Sequence, residues 1–536
     1  MTNPLHEIGS PETAWTTVNT RENFPGVATP LGWTFWRDPL ELGMKGAFCD
    51  LGVLPRRAVT VPESVDDRFS AAVFGRFAAN IDCLRRAADL MPGTSGDALE
   101  EQLLGSVRPG VESHPSMRRY PIIAGKMGWT VLRLPARIRR LRADTDRWWR
   151  TVTAPGGIPD AAAARKVLLE AAQRFEDVMC PHSIVTLLGT GIFDQISEIA
   201  TTSGNSNLST SLITGFGDVE EAKSAGQLWQ VSRGERSLSE FVADHGYHGP
   251  VEAEISSRSW REDPTPLQRL VTTYRGLPES SSPFARAERQ REERAAAERS
   301  VFAGLGALDR RKARMVLNIA RRYIPLREVG KAAFVQTIDA ARAAARVIGA
   351  DLVARGLLRS ADDVYYLTFD EITGELPADC LARVDERRAS FNEYVALVLP
   401  DQWVGVPVPQ RSRAAEPEDV TEVRGMPVSA GTVEGIARVV HDADAGDLED
   451  GEILVCATTD PSWASCFLVA GAVVIDIGGP LSHGAIVARE MGIPCVINTG
   501  NGTRAIKTGD RLLVDGSTGL VQIQERVAEN AVQEVG

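Results

Sequence analysis

The hydrophobic pattern of this 536-residue chain changes once, near residue 400, and that change limits the available folds more than any other feature. Before it, apolar residues recur at helical spacing. Ala161–Ser197 places Val167, Leu168, Ala171, Phe175 and Val178 along one face, and Arg310–Arg322 and Ala332–Leu357 repeat the pattern. Arg68–Met91 also reads as helical, whereas residues 1–60 are rich in Trp, Pro and Gly and read as irregular. Arg286–Arg299 pairs opposite charges at i,i+3 and i,i+4, as a solvated helix face does. The break is Asp401–Asp419, with Pro407, Pro409 and Pro417. Beyond it the signals are strands: 431–440, 452–458, the continuous apolar run Ala472–Ile477, 493–497, and two runs flanking the turn Asp515-Gly516-Ser517-Thr518. The expected architecture is multidomain. A large, mainly α-helical domain fills 1–400, a flexible linker 401–420, a compact α/β domain 421–527 and a tail 528–536.

Bulk properties exclude several classes. The net charge is −12, from 71 acidic and 59 basic residues, which argues against a nucleic-acid-binding protein. No apolar run approaches the roughly 20 residues that span a bilayer, so no membrane association is expected. Met1–Thr20 is polar and carries no secretory pattern, which points to the cytoplasm. The seven cysteines are dispersed without a C-x-x-C pair, as reduced thiols are, and the histidines are dispersed too, so no metal site is expected.

The stretch Gly478-Gly479-Pro480-Leu481-Ser482-His483-Gly484-Ala485 carries the clearest chemistry. A buried strand at Ala472–Ile477 leads into a Gly-Gly turn. Ser482 is a suitable N-cap for a helix from His483 to about Met491, and Gly492 with Pro494 ends it. His483 then lies in the first helical turn, where unpaired N–H groups and the positive end of the dipole favour an anion. Spacing alone fits two readings: a surface histidine at a helix start, or a nitrogen that carries a phosphoryl group.

Residues 425–523 resemble the swivelling phosphohistidine domain of enzymes related to phosphoenolpyruvate synthase and pyruvate phosphate dikinase. The resemblance rests on GMPVSAGTVEGIARVV (425–440), TDPSW (459–463), GGPLSHGAIVAREMGIPCVI (478–497) and GDRLLVDGSTGLVQI (509–523). It is nearest to the rifampin phosphotransferase branch, which has Ser-His-Gly-Ala at the site. The resemblance implies that His483 is phosphorylated, that Gly479, Ser482, Gly484 and Arg489 support the phosphate, and that the domain swings on its linker. Residues 10–375 resemble the substrate-binding domain of the same branch less strongly, through PGVATPLGW (25–33), HGYHGPVE (245–252) and REVGK (327–331).

On a helix, Arg327 and Lys331 share a face, and a guanidinium beside an ammonium clamps a transferring phosphoryl group. Glu328 lies about 100° round and can orient Arg327 or accept a hydroxyl proton. An ordinary charged helix face is the alternative. The resemblance implies that Arg327, Glu328 and Lys331 line the acceptor site, with Glu252, His248 and Trp33 as substrate-binding candidates and Glu252 a candidate base. His248 departs from the pattern, which has Arg before Gly-Pro, so His245 and His248 read equally as structural residues. Trp33 and Trp36 read as pocket walls or as core.

The branch carries an ATP-grasp region before this domain, and the chain begins where that region would end. No G-x-x-x-x-G-K-[ST] loop is present. The resemblance therefore implies a split phosphotransferase, with no tightly bound cofactor here. ATP and Mg2+ would bind a separate ATP-grasp subunit that charges His483, and a small-molecule hydroxyl compound would accept the group. Split systems of this type phosphorylate phenol or cresol for aromatic degradation. The alternative is a phosphocarrier or regulatory protein, phosphorylated on His483 but without an acceptor site of its own.

Overall fold

The computed structural model describes residues 3–18, 20–21, 24–104, 106–214, 216, 220–411, 420–440, 448–459, 463–479 and 482–527. The chain forms two compact units. One comprises Met1–Leu187, Val251–Ser257 and Val329–Ser412; the other comprises Leu188–Pro250, Arg258–Glu328 and Arg413–Gly536.

In chain order the elements begin with β1 (Ala14–Thr16), α1 (Pro30–Asp50), β2 (Ser70–Val73), β3 (Arg76–Asn80), α2 (Ile81–Ala88), α3 (Gly96–Leu104), α4 (Tyr120–Thr153) and α5 (Ala161–Thr202). There follow α6 (Glu220–Ser232), α7 (Leu238–His245), α8 (Thr265–Gly276), α9 (Pro283–Gly304), α10 (Ala307–Tyr323), α11 (Leu326–Ala354), α12 (Phe369–Thr373) and α13 (Cys380–Val395). Then come β4 (Leu397–Val398), β5 (Gln402–Val404), β6 (Gln410–Arg411), β7 (Glu422–Arg424), β8 (Met426–Ser429), β9 (Thr432–Val440) and β10 (Ile453–Cys456). The last are α14 (Ala464–Phe467), β11 (Ala472–Ile475), α15 (His483–Met491), β12 (Cys495–Ile497), α16 (Gly502–Ala505), β13 (Arg511–Asp515) and β14 (Leu520–Glu525). A large helical region followed by a C-terminal α/β domain is the expected fold class.

Three local expectations are corrected in the first unit. Residues 1–60 are not irregular, because α1 occupies 21 of them. Its Pro30 sits where a missing N–H costs nothing, and Thr29 accepts from the Gly32 N–H as N-cap. Its Trp33, Phe35 and Trp36 are core residues. Arg68–Met91 is not one helix. Phe74 and Gly75 both take positive φ, of 46° and 69°, and reverse the chain tightly between β2 and β3, leaving only Ile81–Ala88 helical.

Nor is the segment from 401 free chain. β5 pairs with β1, setting Trp15 opposite Trp403, in a sheet of order β2-β3-β1-β5, and β6 pairs with β4. Both indoles join a cluster with Ala71, Val73, Ala78 and Leu399. Over 402–411 cross-strand pairing overrides Pro407 and Pro409 as a linker signal. Of the expected linker, residues 412–419 lie outside the described residues, as does the tail 528–536.

The second unit contains an eight-stranded sheet of order β7-β14-β13-β9-β10-β11-β12-β8. Strands β9, β10, β11 and β12 run parallel, and the flanking pairs are antiparallel. The continuous apolar runs of β10 and β11 follow from burial on both faces. Leu454, Cys456, Val473 and Ile475 join a cluster with α6, α8, α14 and α15, whereas Ile453, Val455, Ala472 and Val474 join another with Ala505, Leu512 and Val514. The expected strands, the 515–518 turn and the helix at 483–491 are all present.

Two predictions follow from the first unit. Trp403→Ala removes a cross-strand partner and is expected to lower stability by about 3 kcal/mol in urea unfolding; a linker residue would leave it unchanged. The second concerns Glu371, whose carboxylate accepts from Arg387 at 2.6 and 2.9 Å, from Arg383 at 2.7 Å and from the Thr368 N–H at 2.8 Å. Burial alone would raise its pKa, but these donors, Arg387 foremost, hold it at about 2 against an ordinary 4.5. A lowered carboxylate pKa gives stability that is full above pH 4.5 and lost as pH falls toward 2. Urea midpoints of Glu371→Gln should fall less steeply than wild type across that window.

Candidate functional site

His483 is the first residue of α15 and follows the carboxyl end of β11, the end of a parallel sheet where loops gather to bind ligands. Its side chain, with residues 480 and 481, lies outside the described residues. Ser482 is extended, with φ −65° and ψ 162°, and its Oγ accepts from the Ala485 N–H at 3.3 Å, as an N-cap does. The Ser482 N–H donates to the Gly479 carbonyl at 2.9 Å, which closes the turn. The N–H groups of His483 and Gly484 fall in the first turn, where a helix offers no intrahelical acceptor. At its other end α15 stops on Gly492, left-handed with φ 64°.

The neighbouring strand fixes the approach to this turn. A Cβ on Gly484 would lie 2.7 Å from Thr459 Oγ1 and would also collide with Ile475 Cδ1, so the first turn of α15 presses against the loop after β10. Thr459 is 3% exposed. The adjacent Thr458 Oγ1 is buried without a hydrogen-bond partner among the described residues. Neither hydroxyl stood out as a site residue, although Thr459 opens the TDPSW segment. Among the described residues, no atom beyond its chain neighbours lies within 4 Å of where a Cβ on Gly479 would stand.

Arg489 does not support a phosphate. It is 4% exposed, its Nε donates to the Val428 carbonyl at 2.8 Å, and burial lowers its pKa to about 10. It ties α15 to β8. From sequence it shares the motif with His483, but six residues of helix turn it away from the N-terminal end.

The acceptor-site candidates fall in both units. In the second, Arg327 Nη1 lies 3.3 Å from Glu328 Oε1, with the Glu328 side chain 5% exposed. The two side chains are thus in contact. His248 is buried beside Tyr247 and Trp260, at ring-centroid distances of 4.2 and 5.5 Å, and its carbonyl accepts from the Trp260 N–H at 2.7 Å. His245 Nε2 pairs with Gln227 Oε1 at 2.8 Å. Lys331 is half-buried, four residues beyond Arg327 on the same continuous helix α11, in the part of it that belongs to the first unit.

Trp33 and Glu252 also belong to the first unit. Trp33 is 1% exposed and packs edge-on to Phe77 at 4.7 Å. It is therefore a core residue and not an open pocket wall. Glu252 is 6% exposed, and its carbonyl faces Arg342 Nη2 at 3.5 Å. The residue missed here is Glu254. Its carboxylate accepts from the Thr29 N–H at 3.0 Å and from Thr29 Oγ1 at 2.7 Å, and so holds the start of α1. Its proximity to Thr29, 225 positions earlier, leaves no mark in local sequence.

With this geometry in place, comparison with known proteins defines the class. Residues 448–519 match the PEP-utilising enzyme mobile domain, and residues 212–328 match the rifampicin phosphotransferase fourth domain. Over these two segments the chain is thus similar to a mobile domain of PEP-utilising enzymes and to a rifampicin phosphotransferase domain.

Three relatives are informative. A rifampicin phosphotransferase from Streptomyces sp is 30% identical over 430 residues, covering 77% of this chain and 47% of the relative. An uncharacterized protein of Mycobacterium tuberculosis is 34% identical over 286 residues, covering 53% of this chain and 31% of the relative. A rifampicin phosphotransferase from Bacillus subtilis is 28% identical over 297 residues, covering 54% and 34%. The chain spans between about a third and a half of the length of these relatives.

Packing at the first turn of α15 gives an ordered prediction. Ser482→Ala loses one cap and should cost about 1 kcal/mol. Gly484→Ala drives a methyl into Ile475 and Thr459 and should cost more, about 1–3 kcal/mol. Chemical denaturation of both variants checks the order.

Proposed function

We propose that this protein is a phosphotransferase subunit that carries a phosphoryl group on His483 and passes it to the hydroxyl of a small acceptor in the cytoplasm. The observation that carries the reading is the position of His483: first residue of a capped helix, at the carboxyl end of a parallel strand, inside the part of the chain that matches the mobile domain. Helix-start N–H groups and an adjacent hydroxyl loop suit a dianionic phosphoryl group. The relatives named rifampicin phosphotransferase support transfer to a hydroxyl.

In this reading a separate ATP-grasp subunit binds ATP and Mg2+; an imidazole nitrogen of His483 attacks the β-phosphorus, the α–β anhydride bond breaks to release AMP, and one water cleaves the β–γ bond to release phosphate and leave the β-phosphoryl group on His483. In the second step the acceptor oxygen attacks phosphorus, the P–N bond breaks, and the hydroxyl proton leaves to a carboxylate, Glu328 or Glu252. Arg327 and Lys331 neutralise the equatorial oxygens of the transferring group. The acceptor class we favour is a phenol or cresol.

The test separates charging from transfer. Phosphoramidate phosphorylates histidine without a protein donor, so it charges the chain alone, and phenol is then added. Wild type should form an acid-labile phosphohistidine and release phenyl phosphate. His483→Ala should do neither. Arg327→Ala should charge normally and transfer 10²- to 10³-fold more slowly, as loss of one charge-stabilising donor does. Full transfer by His483→Ala would end the proposal, and a charged wild type that yields no product with phenol or cresols would favour the phosphocarrier. With β-labelled ATP, label should enter only when the ATP-grasp subunit is present.

A further inference from the structure

In the second unit, α9 meets the C-terminal ends of two helices of the mobile domain. Arg286 Nη2 donates to the carbonyl of Leu468, the C-cap of α14, at 3.0 Å, and Nη1 reaches the carbonyl of Met491, the last residue of α15, at 3.5 Å. Helix C-termini present unsatisfied carbonyls and negative partial charge, so one guanidinium here serves both ends.

One turn further along α9, Gln290 is 7% exposed, and its Nε2 lies 2.6 Å from where a Cβ on Gly492 would stand. Gly492 takes a positive φ, which favours glycine, and Gln290 packs close against this turn. Arg294, another turn on, feels the charge of Glu490 and also pairs with Glu298 at 3.6 Å. The three sit at i, i+4 and i+8 on one face. Burial lowers the pKa of Arg286, with Arg289 adding to it, as expected for a guanidinium held under a docked domain. The charge-rich 286–299 run is thus a solvated face on one side and a polar seam on the other.

The seam borders apolar contact. Trp229 and Leu228 of α6 share a cluster with Phe467, Val487, Ala488 and Met491 of the mobile domain. A domain that must leave this surface needs contacts that water can replace. Polar bonds to helix ends fit that need better than further apolar burial does, because water replaces them at little net cost.

We propose that Arg286, with Gln290 packed beside it against the turn at Gly492, forms a latch that holds the His483 helix in the docked position, and that opening this latch releases the mobile domain for charging. The proposal rests on reading the domain as a moving phosphoryl carrier. It positions that carrier and takes no part in the chemistry: α15 spans about 12 Å from His483 to Met491 at 1.5 Å per residue.

Hydrogen exchange on the full chain, without ATP or acceptor, tests it. Arg286→Ala should accelerate amide exchange in α14, α15 and the facing turns of α9 roughly tenfold, while β13 and β14 exchange as in wild type. Arg286→Lys, which keeps one donor, should fall between. Gln290→Ala should give the same regional pattern and carries the test if Arg286→Ala does not fold. Unchanged exchange in α15 in the folded variants would overturn the latch. Equal acceleration in β13 and β14 would also overturn it, because it would mark unfolding and not release. Failure of phosphoryl transfer would leave these exchange rates unaltered, so the two ideas fail separately.

Discussion

The structure around His483 depends on one constraint: strands β10 and β11 are buried on both faces. A parallel pair covered on both sides fixes its crossover helices and lifts the connecting loops to the carboxyl edge. Position 483 follows that edge because β11 ends at Ile475 and Ser482 caps the next helix. Gly484 then sets the first turn against Thr459. The strand core, the cap and the close approach together aim the start of α15, and the chemistry proposed for His483 inherits its orientation from them.

That constraint was legible in sequence because its parts are local. Ala472–Ile477 reads as a doubly buried strand, Ser482 as a cap, and Gly492 as a left-handed stop, and each stands where expected. The errors lie where tertiary contact decides. Proline and tryptophan near residue 30 suggested irregular chain, yet Pro30 opens a helix and the tryptophans fill the core. The prolines near 407 suggested a linker, yet Trp403 pairs across to Trp15 at the far end of the sequence.

Site residues divide the same way. The Arg327–Glu328 pair follows from neighbouring positions on one helix. Arg489 was misplaced because motif membership says nothing about which end of a nine-residue helix a side chain serves. Glu254 and Thr459 were missed because their partners, Thr29 and Gly484, are distant in sequence. The Arg286 contact was hidden for a further reason. An Arg/Glu/Ala run looks solvated from composition, and only the packed helix shows which of its charges face a neighbouring domain.

The match of residues 448–519 to a mobile domain and of 212–328 to a rifampicin phosphotransferase domain is what the proposed reading, a carrier histidine on a docked but releasable domain, builds on. The direct measurement is site mapping by mass spectrometry under alkaline conditions, which preserve phosphohistidine, after the intact chain has been charged. The phosphoryl group is predicted on His483 and on no other of the seven histidines. A phosphoryl group on another residue, or none, would contradict it.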